Sequence, residues 1–496
     1  MGPDPLGTGA YPGDPYASVW RVTGNLTVAS GASLRIDAYT VVKFDNWRNL
    51  FVDGSLDVYG QPGAEVVFTS INDDAYGHAV SGSTGTPAPG NWAGIDYRSG
   101  SSGSMTDARV LYADQGVYVW NASPVLTNLT INQFGYNALH IVAFNAGEVT
   151  SPTITNLTAT TTDTWNRPLD LYGPSGTVAP VFAGGFVRTA DTGNPVVWLE
   201  GVGVAPQMSG FTLVGGGSTL AFRFSAGGTF TGMTMDGAAG DGVILGFGGT
   251  AGAVRITDST ILNAGGNCVR MNTGSANALT LERNLIRGCV GAGVTIAASQ
   301  TGPVSLHNNL IVENGGQGIW AMGDPVNLTG PTVDVYSNTV ADNGGVGLQV
   351  DTYAAANAYD NVLAFNTGGD GLLAGTVTEN YNVSTTQGLL AGVGDRYAGV
   401  GSVLFDPAAW YLAAGSVAWD RDPNRTAAAL PYMPANPYAE PLMVDTGNLD
   451  AGYHHGAPAP AVSAALSTVV AASTALTPGA TTTITVTPKA TNGALI

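Results

Sequence analysis

Two acidic residues, Glu313 and Asp342, form the most promising carboxylate pair in this sequence. Each follows a short apolar segment and precedes an Asn-Gly turn, so both occupy the same position of a repeated unit. Stacked units would bring the two carboxylates to about 5 Å, the separation found in retaining glycosidases, and carboxylate oxygens also suit Ca²⁺. Glu313 and Asp342 are therefore candidate catalytic residues and a candidate calcium site. The alternative is two solvated turn carboxylates that point apart, because like charges repel at that distance.

A second set of candidate residues combines aromatic rings with polar groups. Tyr118, Trp120 and His140 precede Asp170 at spacings that predict neighbouring positions in stacked units. Exposed aromatic rings offer flat apolar area with a polar edge, which suits contact with sugar rings. These four residues and Trp320 are therefore candidate glycan-binding residues, with a Trp120 ring folded over a turn as the alternative.

The strongest pattern in the chain is a repeat of about 25 residues that holds a short apolar segment, a Gly/Asn turn and a second apolar segment. These runs alternate apolar with polar residues over a few positions, which predicts β-strands rather than helices. The first apolar mark falls at Ile131, Ala159, Val187, Leu213, Met235, Ile261, Ile286, Ile311, Val340 and Leu363. The second mark falls at Val269, Val294, Ile319, Leu348 and Leu372. A coil of three strands and three turns fits this period, so we predict three parallel sheets around one core.

Residues next to the second marks form one predicted outward row. Its members are Tyr118, His140, Asp170, Val197, Ala221, Ile244, Arg270, Thr295, Trp320 and Gln349. Within this row, Trp320 with Arg270 and Gln349 forms a further candidate binding group. The alternative for this group is an ordinary surface row without a ligand.

Asparagine and cysteine also recur at fixed positions of the repeat. One column contains Asn284, Asn309, Asn338 and Asn361, and a second contains Asn314, Asn343 and Asn366. In a stack these columns predict ladders in which each amide bonds to the next at about 4.8 Å. Cys268 and Cys289 lie at opposite ends of one turn in successive coils, and an offset above about 7 Å favours two free thiols. A disulfide formed outside the cell is the alternative.

Composition limits the kinds of function. The net charge is −19, charged residues make up 11% of the chain, and lysine occurs only at Lys43 and Lys489. An acidic chain with so few lysines is poorly suited to a phosphate backbone, so no nucleic-acid partner is expected. No run of 18 apolar residues occurs, so no membrane span is predicted. A neutral surface rich in Thr, Ser, Asn and Gly is typical of extracellular β proteins, which predicts an extracellular or cell-surface location.

The GNWAGI segment at residues 90–95 and the recurring N-x-I-x-x-N-x-x-x-G-I pattern resemble the right-handed parallel β-helix repeat proteins of bacterial surfaces, which share the fold of the pectate lyase superfamily. The resemblance covers most of the chain and implies an all-β, right-handed parallel β-helix of about ten or more coils with capped ends. Lyases, hydrolases, epimerases, adhesins and tailspikes share this fold, so it implies no single activity. A lyase of this family would need acidic Ca²⁺ ligands beside an Arg or Lys base, and the outward row contains no such cluster.

Four regions are expected along the chain. Residues 1–75 form an N-terminal cap with the first strands, and residues 76–375 form the stack. Residues 376–456 form a closing segment whose aromatic residues cover the last coil. Residues 457–496 contain a linker and two or three strands around a Pro-Gly turn, which resemble the start of an invasin-type immunoglobulin-like repeat.

The expected function is that of a non-catalytic extracellular module of a large secreted or surface protein, structural or adhesive and able to bind glycans. Expected partners are glycans or other surface components and further immunoglobulin-like domains of the same polypeptide. One alternative is a polysaccharide lyase or glycoside hydrolase, which requires a groove with convergent carboxylates. Another is a tailspike-like receptor-binding protein, which requires a C-terminal trimerisation element. No cofactor is expected apart from calcium at Glu313 and Asp342.

Overall fold

The computed structural model describes residues 2–3, 18–247, 252–272, 278–300, 302–399, 404–405, 410, 412–413, 416–434, 445, 447–455, 468–471 and 484–487. Short strands wind in coils around one apolar interior, and successive coils pair in parallel. The architecture is an all-β right-handed parallel β-helix in which one sheet alone contains 14 strands. One 3-10 helix, Ala427–Ala429, occurs among the described residues, and no helix in this part of the chain is long and apolar enough to cross a membrane.

We name the three sheets A, B and C because each coil contributes its strands to them in that order. Sheet C consists of Leu26–Val28, Asn49–Val52, Trp92–Tyr97, Ala113–Trp120, Asn137–Val142, Leu169–Tyr172, Val197–Glu200, Leu220–Arg223, Val243–Leu245, Val269–Met271, Val294–Ile296, Ile319–Ala321, Leu348–Val350 and Gly371–Leu373. Sheet A consists of Ser33–Asp37, Ser55–Tyr59, Gly228–Thr231, Val254–Thr257, Leu279–Glu282, Val304–His307, Thr332–Tyr336, Ala355–Tyr359 and Thr376–Asn380. Sheet B consists of Ser18–Val22, Thr40–Phe44, Val66–Ser70, Thr234–Asp236, Thr260–Leu262, Leu285–Arg287, Leu310–Val312, Thr339–Ala341, Val362–Ala364, Val383–Ser384 and Arg396–Tyr397.

Five long strands join sheets A and B into one hydrogen-bonded surface. They are Ser102–Leu111, Val125–Asn132, Thr153–Thr161, Val181–Thr189 and Gln207–Gly215. Three short pairings lie outside the three columns: the parallel pair Val149–Thr150 with Thr177–Val178, the antiparallel pair Thr468–Ala471 with Ile484–Thr487, and Gly2–Pro3 antiparallel to Ser18–Val22. The pair at 468–487 accounts for two of the strands expected near the C-terminus. Its assignment to an immunoglobulin-like repeat stays a prediction.

One corner residue per coil adopts a left-handed backbone and turns the chain from sheet A towards sheet B. These residues are Asp107, Asn128, Asn156, Gly184, Gly210, Gly232, Asp258, Arg283, Asn308, Ser337, Asp360 and Tyr381. Gly, Asn and Asp tolerate this conformation best, which explains why they predominate. A second left-handed column turns sheet B towards sheet C and includes Glu313 at φ 57° and Asp342 at φ 53°.

The predicted register of the apolar marks is confirmed with one exception. Each first mark from Ile131 to Leu363 pairs with the next in sheet B. Second marks also pair in sheet C as far as Leu348, which then pairs with Gly371. The prediction for Leu372 was wrong, since its side chain is 50% exposed. This coil keeps the eight-residue spacing and has a glycine at the inward position.

Two asparagine ladders link the coils of the C-terminal half of the stack, as predicted. The first runs through Asn284, Asn309, Asn338 and Asn361 to Asn382 and ends on Asp395, and the second runs through Asn314, Asn343 and Asn366 to Asp370. At each rung the side-chain NH₂ donates to the next side-chain oxygen, and for Asn338 this distance is 3.2 Å. The same NH₂ group donates to a backbone carbonyl of the preceding coil, such as that of Leu306. The buried amides are therefore satisfied only while the coils remain stacked.

Cys268 and Cys289 form a disulfide with a Cα–Cα distance of 5.5 Å, so the expectation of two free thiols was wrong. Both side chains lie in the core, and the two Cα atoms are closer together than the offset between the turns predicted. Cys289 occupies the position that Asn314 has one coil later, and its backbone N–H donates to the Asn314 side-chain oxygen at 3.1 Å. The disulfide thus ends the second ladder on its N-terminal side.

Residues 376–397 of the expected closing segment still contribute strands to sheets A and B, and the part that follows them packs along the side of the stack, well before the last coil. The Tyr432 ring lies 4.6 Å from the His307 ring, and Arg425 pairs with Asp360 at 3.0 Å. An apolar cluster joins this segment to the outer side of sheet B and contains Leu310, Val312, Ala341, Val362, Ala364, Val383, Ala398, Leu404, Leu412, Ala418 and Ala451. The sheet B strands from Leu310–Val312 to Val383–Ser384 are consequently buried on both sides.

Replacing a central ladder residue should destabilise the whole stack. Asn338→Ala removes the acceptor of the Asn309 backbone N–H and side chain and the donor to the Leu306 carbonyl, all of them buried. Leaving these groups unpaired should lower the free energy of unfolding by roughly 3 kcal/mol or more. The urea unfolding midpoint measures the effect.

The exposed turn residue Asn327, which bonds only within its own turn to Asp324, provides the matched control. Asn327→Ala should leave the midpoint close to that of the wild type. Equal midpoints for Asn338→Ala and the wild type would contradict the role assigned to the ladder.

Candidate functional site

The outer side of sheet C carries a continuous row of side chains, one from each coil. It contains Asp96, Tyr118, His140, Asp170, Trp198, Ala221, Ile244, Arg270, Thr295, Trp320 and Gln349. We call this row the sheet C face. Neighbouring members lie about 4.8 Å apart because each occupies the next strand of a parallel sheet. The structure therefore brings Tyr118, His140 and Asp170 together on three consecutive strands.

The outward residue of the strand Val197–Glu200 is Trp198, and not Val197 as predicted. Val197 is fully buried in the core, and Asp170 pairs with Trp198 instead. The run Val196-Val197-Trp198 is apolar at three successive positions, so it lacks the alternation that would reveal which side chain points outward. Because the prediction chose Val197, it missed the large aromatic side chain of Trp198 directly beside Asp170.

Asp96, Tyr118, His140 and Asp170 form a polar patch at the N-terminal half of the sheet C face. The Tyr118 and His140 rings meet edge to face with centroids 5.1 Å apart. Nδ1 of His140 is buried and has no hydrogen-bond partner in the structure. Arg167, from the turn before the Asp170 strand, approaches the Asp170 carboxylate at 3.7 Å. The patch therefore contains groups that can donate to and accept from the hydroxyls of a ligand.

Burial controls the charge state of this patch. Loss of solvent raises the pKa of Asp170 to about 6 despite the opposing charge of Arg167, and burial likewise raises the pKa of Asp96 to about 6. Burial, reinforced by Arg167, lowers the pKa of His140 to about 4, and burial raises the pKa of Tyr118 to about 12. At neutral pH the phenol and imidazole are uncharged, while the two carboxylates are ionised but close to protonation.

Aromatic rings flank the polar patch. The Arg167 guanidinium lies 4.2 Å above the Trp198 ring, and the Trp198 indole N–H donates to Glu200 at 2.7 Å. On the other side the Trp120 indole N–H donates to Glu148 at 3.1 Å, so this ring leans towards the turn that contains Glu148. Phe144 and Tyr172 continue the aromatic row that begins at Trp120.

The predicted Trp320 group is only partly assembled. Trp320 and Gln349 are neighbours in sheet C, and both donate to the Asp351 carboxylate, at 2.9 and 2.7 Å. Arg270 lies two strands away, beyond Thr295, and pairs with Asp241 at 3.3 Å. Trp320 and Gln349 are therefore held by Asp351, and Arg270 belongs to a different part of the face.

Glu313 and Asp342 occupy equivalent corners of neighbouring coils, as the sequence predicted. Arg287 already pairs with Glu313 at 2.6 Å, whereas Asp342 is exposed. Both lie at left-handed corners away from the sheet C face. Across the described ranges, no group of three or more His, Cys, Asp or Glu side chains is placed to hold a metal. The catalytic and calcium roles of this pair stay predictions.

Sequence reasoning missed Arg167, Trp198 and Glu200 as members of the site. Arg167 lies in the turn before the Asp170 strand, and Glu200 ends the strand that contains Trp198. A search for polar residues two positions from each outward residue would have found Glu200. Arg167 lies in a turn of irregular length, so the repeat period gives no signal for it.

The comparisons with known proteins concern the fold. The family model for the right-handed beta helix region matches residues 206–329, and no curated protein sequence matches the chain significantly. Among solved structures, the chain is similar to the periplasmic alginate epimerase AlgG, with 9% identity, a TM-score of 0.38 and coverage of 73% of this chain and 78% of that one. It is also similar to the tailspike protein of E. coli bacteriophage HK620, with 12% identity, a TM-score of 0.29 and coverage of 78% and 72%. Pectate lyase Pel9A matches with 13% identity, a TM-score of 0.30 and coverage of 85% and 96%. These likenesses are too distant to indicate an activity.

The raised pKa of Asp170 predicts a pH-dependent contribution to stability. From about pH 4 to 6 the folded chain keeps a proton that the unfolded chain has released, so this contribution to the free energy of unfolding falls as pH rises. The shift from 3.8 to about 6 corresponds to roughly 3 kcal/mol. Asp170→Asn cannot titrate, so its free energy of unfolding should rise relative to the wild type by up to that amount between about pH 4 and 7 in urea titrations.

Asp324→Asn provides a control in which the change in stability with pH should have the opposite sign. Hydrogen bonds from the Asn327 side chain and from nearby backbone amides lower the pKa of Asp324. The stabilising contribution of that carboxylate is therefore lost as pH falls, and Asp324→Asn should lose stability relative to the wild type as pH rises. Parallel pH trends in the two variants would contradict the assignment at Asp170.

Proposed function

We propose that this chain is an extracellular β-helix module that binds carbohydrate on the sheet C face, in a structural or adhesive role. The observation that carries the proposal is the run of outward groups Tyr118, His140 and Asp170 on consecutive strands, with the half-buried Trp120 ring beside Tyr118 on the same strand. Aromatic rings accept the apolar faces of sugars, and the adjacent carboxylate, imidazole and phenol groups suit hydroxyls.

The contrast with sheet A supports this choice of face. The outward positions of its long strands are mostly small and polar, for example Thr127, Thr155 and Ser209. Such a surface offers little area for ring stacking. On sheet C, by comparison, the partly exposed rings of Tyr118, Trp120 and Tyr172 lie within three consecutive strands.

The buried Cys268–Cys289 disulfide supports an extracellular location. Disulfides persist in oxidising compartments and are rare in the cytosol. The low proportion of charged residues, 11%, agrees with this location. Further immunoglobulin-like domains of the same polypeptide are also part of the proposal. Among the described residues, the antiparallel strand pair at 468–487 is the feature on which this part of the proposal rests.

Binding can be tested by electrophoresis through gels that contain one polysaccharide each: galactomannan, xyloglucan, hydroxyethyl cellulose, polygalacturonate or alginate. The wild type should be retarded by at least one polymer. The double variant Tyr118→Ala/Trp120→Ala should bind that polymer about tenfold more weakly, because it loses two stacking surfaces.

Tyr59, which is 45% exposed and lies in sheet A, provides the matched aromatic control. Tyr59→Ala should migrate like the wild type in every gel. A wild type that passes through all five polymers without retardation would overturn the proposed function.

Polysaccharide cleavage is the second candidate function, with one observation in its favour. Glu200 lies on the strand next to Asp170, two residues beyond its partner Trp198. Strand geometry places the two carboxyl-bearing positions about 8 Å apart, within the range of about 6.5–9.5 Å found in inverting glycosidases. Asp170, with its raised pKa, would protonate the glycosidic oxygen, and Glu200 would take a proton from the attacking water.

Hydrolysis predicts new reducing ends without unsaturated products when the chain is incubated with the same five polymers. Asp170→Asn should lower the rate about 100-fold or more, while Asp324→Asn, in an exposed turn, should leave it unchanged. No reducing ends from the wild type would remove the catalytic alternative and leave the binding proposal in place.

A further inference from the structure

A cavity of about 510 Å³ lies on the sheet C face, beyond Trp198. This volume falls within the range of about 300–1,000 Å³ typical of small-molecule sites. It is separate from the polar patch and from every residue singled out by the sequence except Ile244 and Arg270. Its lining combines three kinds of surface: an apolar floor, a wall of glycine backbone and one polar end.

Ile244 and Phe247 form the apolar floor of the cavity on the outer side of sheet C. Ile244 belongs to a buried apolar strip with Ala221 and Trp198, which occupy the two preceding strands. Phe247 folds over the strip, with its ring edge to face with Trp198 at 5.3 Å. The Phe247 side chain is nevertheless 42% exposed, so part of the ring is open to a ligand.

Glycine forms the wall of the cavity at the turns before the sheet C strands. Gly217 and Gly240 stack on each other, and the Gly240 N–H donates to the Gly217 carbonyl at 2.9 Å. A Cβ atom added at Gly240 would lie 2.9 Å from the same carbonyl oxygen, so a side chain here would force the coils apart. The absence of side chains at Gly193, Gly217 and Gly240 keeps this part of the wall open, and Thr192, Pro195, Ser218 and Ala239 also line the cavity.

The polar end carries two opposite charges that compensate each other. Arg270 pairs with Asp241 at 3.3 Å. The other oxygen of Asp241 accepts the backbone N–H and the side-chain NH₂ of Asn267, at 2.8 and 2.9 Å. Arg270 is 47% exposed and keeps further N–H groups for a ligand, but its charge is already matched. An anionic ligand would therefore find no unpaired positive charge at this end, on a chain whose net charge is −19.

We propose that this cavity is a subsite for an uncharged sugar ring, stacked on Phe247 and Ile244 and hydrogen-bonded through its hydroxyls to Arg270 and Asp241. The inference rests on the proposed carbohydrate-binding function and specifies its ligand class as neutral glycans rather than polyuronates. A neutral ring matches each surface of the cavity: its apolar face matches the floor, and its hydroxyls match a charge-compensated pair of donor and acceptor.

Two variants test the subsite in the gels described above. Phe247→Ala removes the stacking surface and should weaken retardation by galactomannan by roughly fivefold to tenfold. Asp241→Asn leaves the Arg270 charge unmatched and should create retardation by polygalacturonate, which should not retard the wild type. Thermal unfolding of each variant establishes that it is folded.

Asp258→Asn is the matched control, because it removes the carboxylate paired with Arg283 and changes the net charge by the same amount far from the cavity. It should gain no affinity for polygalacturonate. Wild-type affinity in Phe247→Ala, together with loss of binding in Tyr118→Ala/Trp120→Ala, would overturn the subsite while leaving the proposed function intact. Wild-type preference for polygalacturonate or alginate over galactomannan would overturn the neutral ligand class.

Discussion

Every coil of this protein depends on its neighbours for the partners of its buried polar groups. Asn338 illustrates the constraint, because its amide bonds forward to Asn361 and back to the Leu306 carbonyl. Each ladder ends on a carboxylate, Asp395 or Asp370, which accepts from the last amide. Because the amide groups are aligned and buried, each hydrogen bond polarises and strengthens the next one, and the carboxylate at the end is a strong acceptor for the last amide. The ladders therefore hold the coils of the C-terminal half in alignment, from Asn284 to Asn382.

Parallel backbone pairing between successive coils turns residues that are distant in sequence into neighbours on a surface. Tyr118, His140, Asp170 and Trp198 each belong to a different coil, yet they occupy consecutive strands of one sheet. The three sheets differ in how they use this property. Small residues predominate on the long strands of sheet A, and the closing segment covers the C-terminal half of sheet B. Sheet C places Tyr118, His140 and Asp170 on consecutive strands, which makes it the candidate functional face.

Electrostatic compensation is a second theme of the sheet C face. The chain carries a net charge of −19, yet Asp170, Glu200 and Asp241 each have an arginine within 4 Å. Burial raises the pKa values of Asp96 and Asp170 and lowers that of His140, so all three shifts favour the uncharged form. A face that suppresses or balances its charges is suited to polar, uncharged ligands. The same argument links the polar patch to the cavity beside Arg270.

The sequence alone determined the repeat, the register of the first apolar marks from Ile131 to Leu363, and the two asparagine ladders. Such features follow from local alternation and from a period of about 25 residues, both of which can be read from one chain. Only the tertiary structure decided the outward position of Trp198, the approach of Arg167 to Asp170, the Cys268–Cys289 disulfide and the course of the closing segment. Each of these depends on lateral offsets between coils and on turns of unequal length. Periodicity specifies which residues share a column, but only the packed stack specifies how far apart and in which direction their side chains lie.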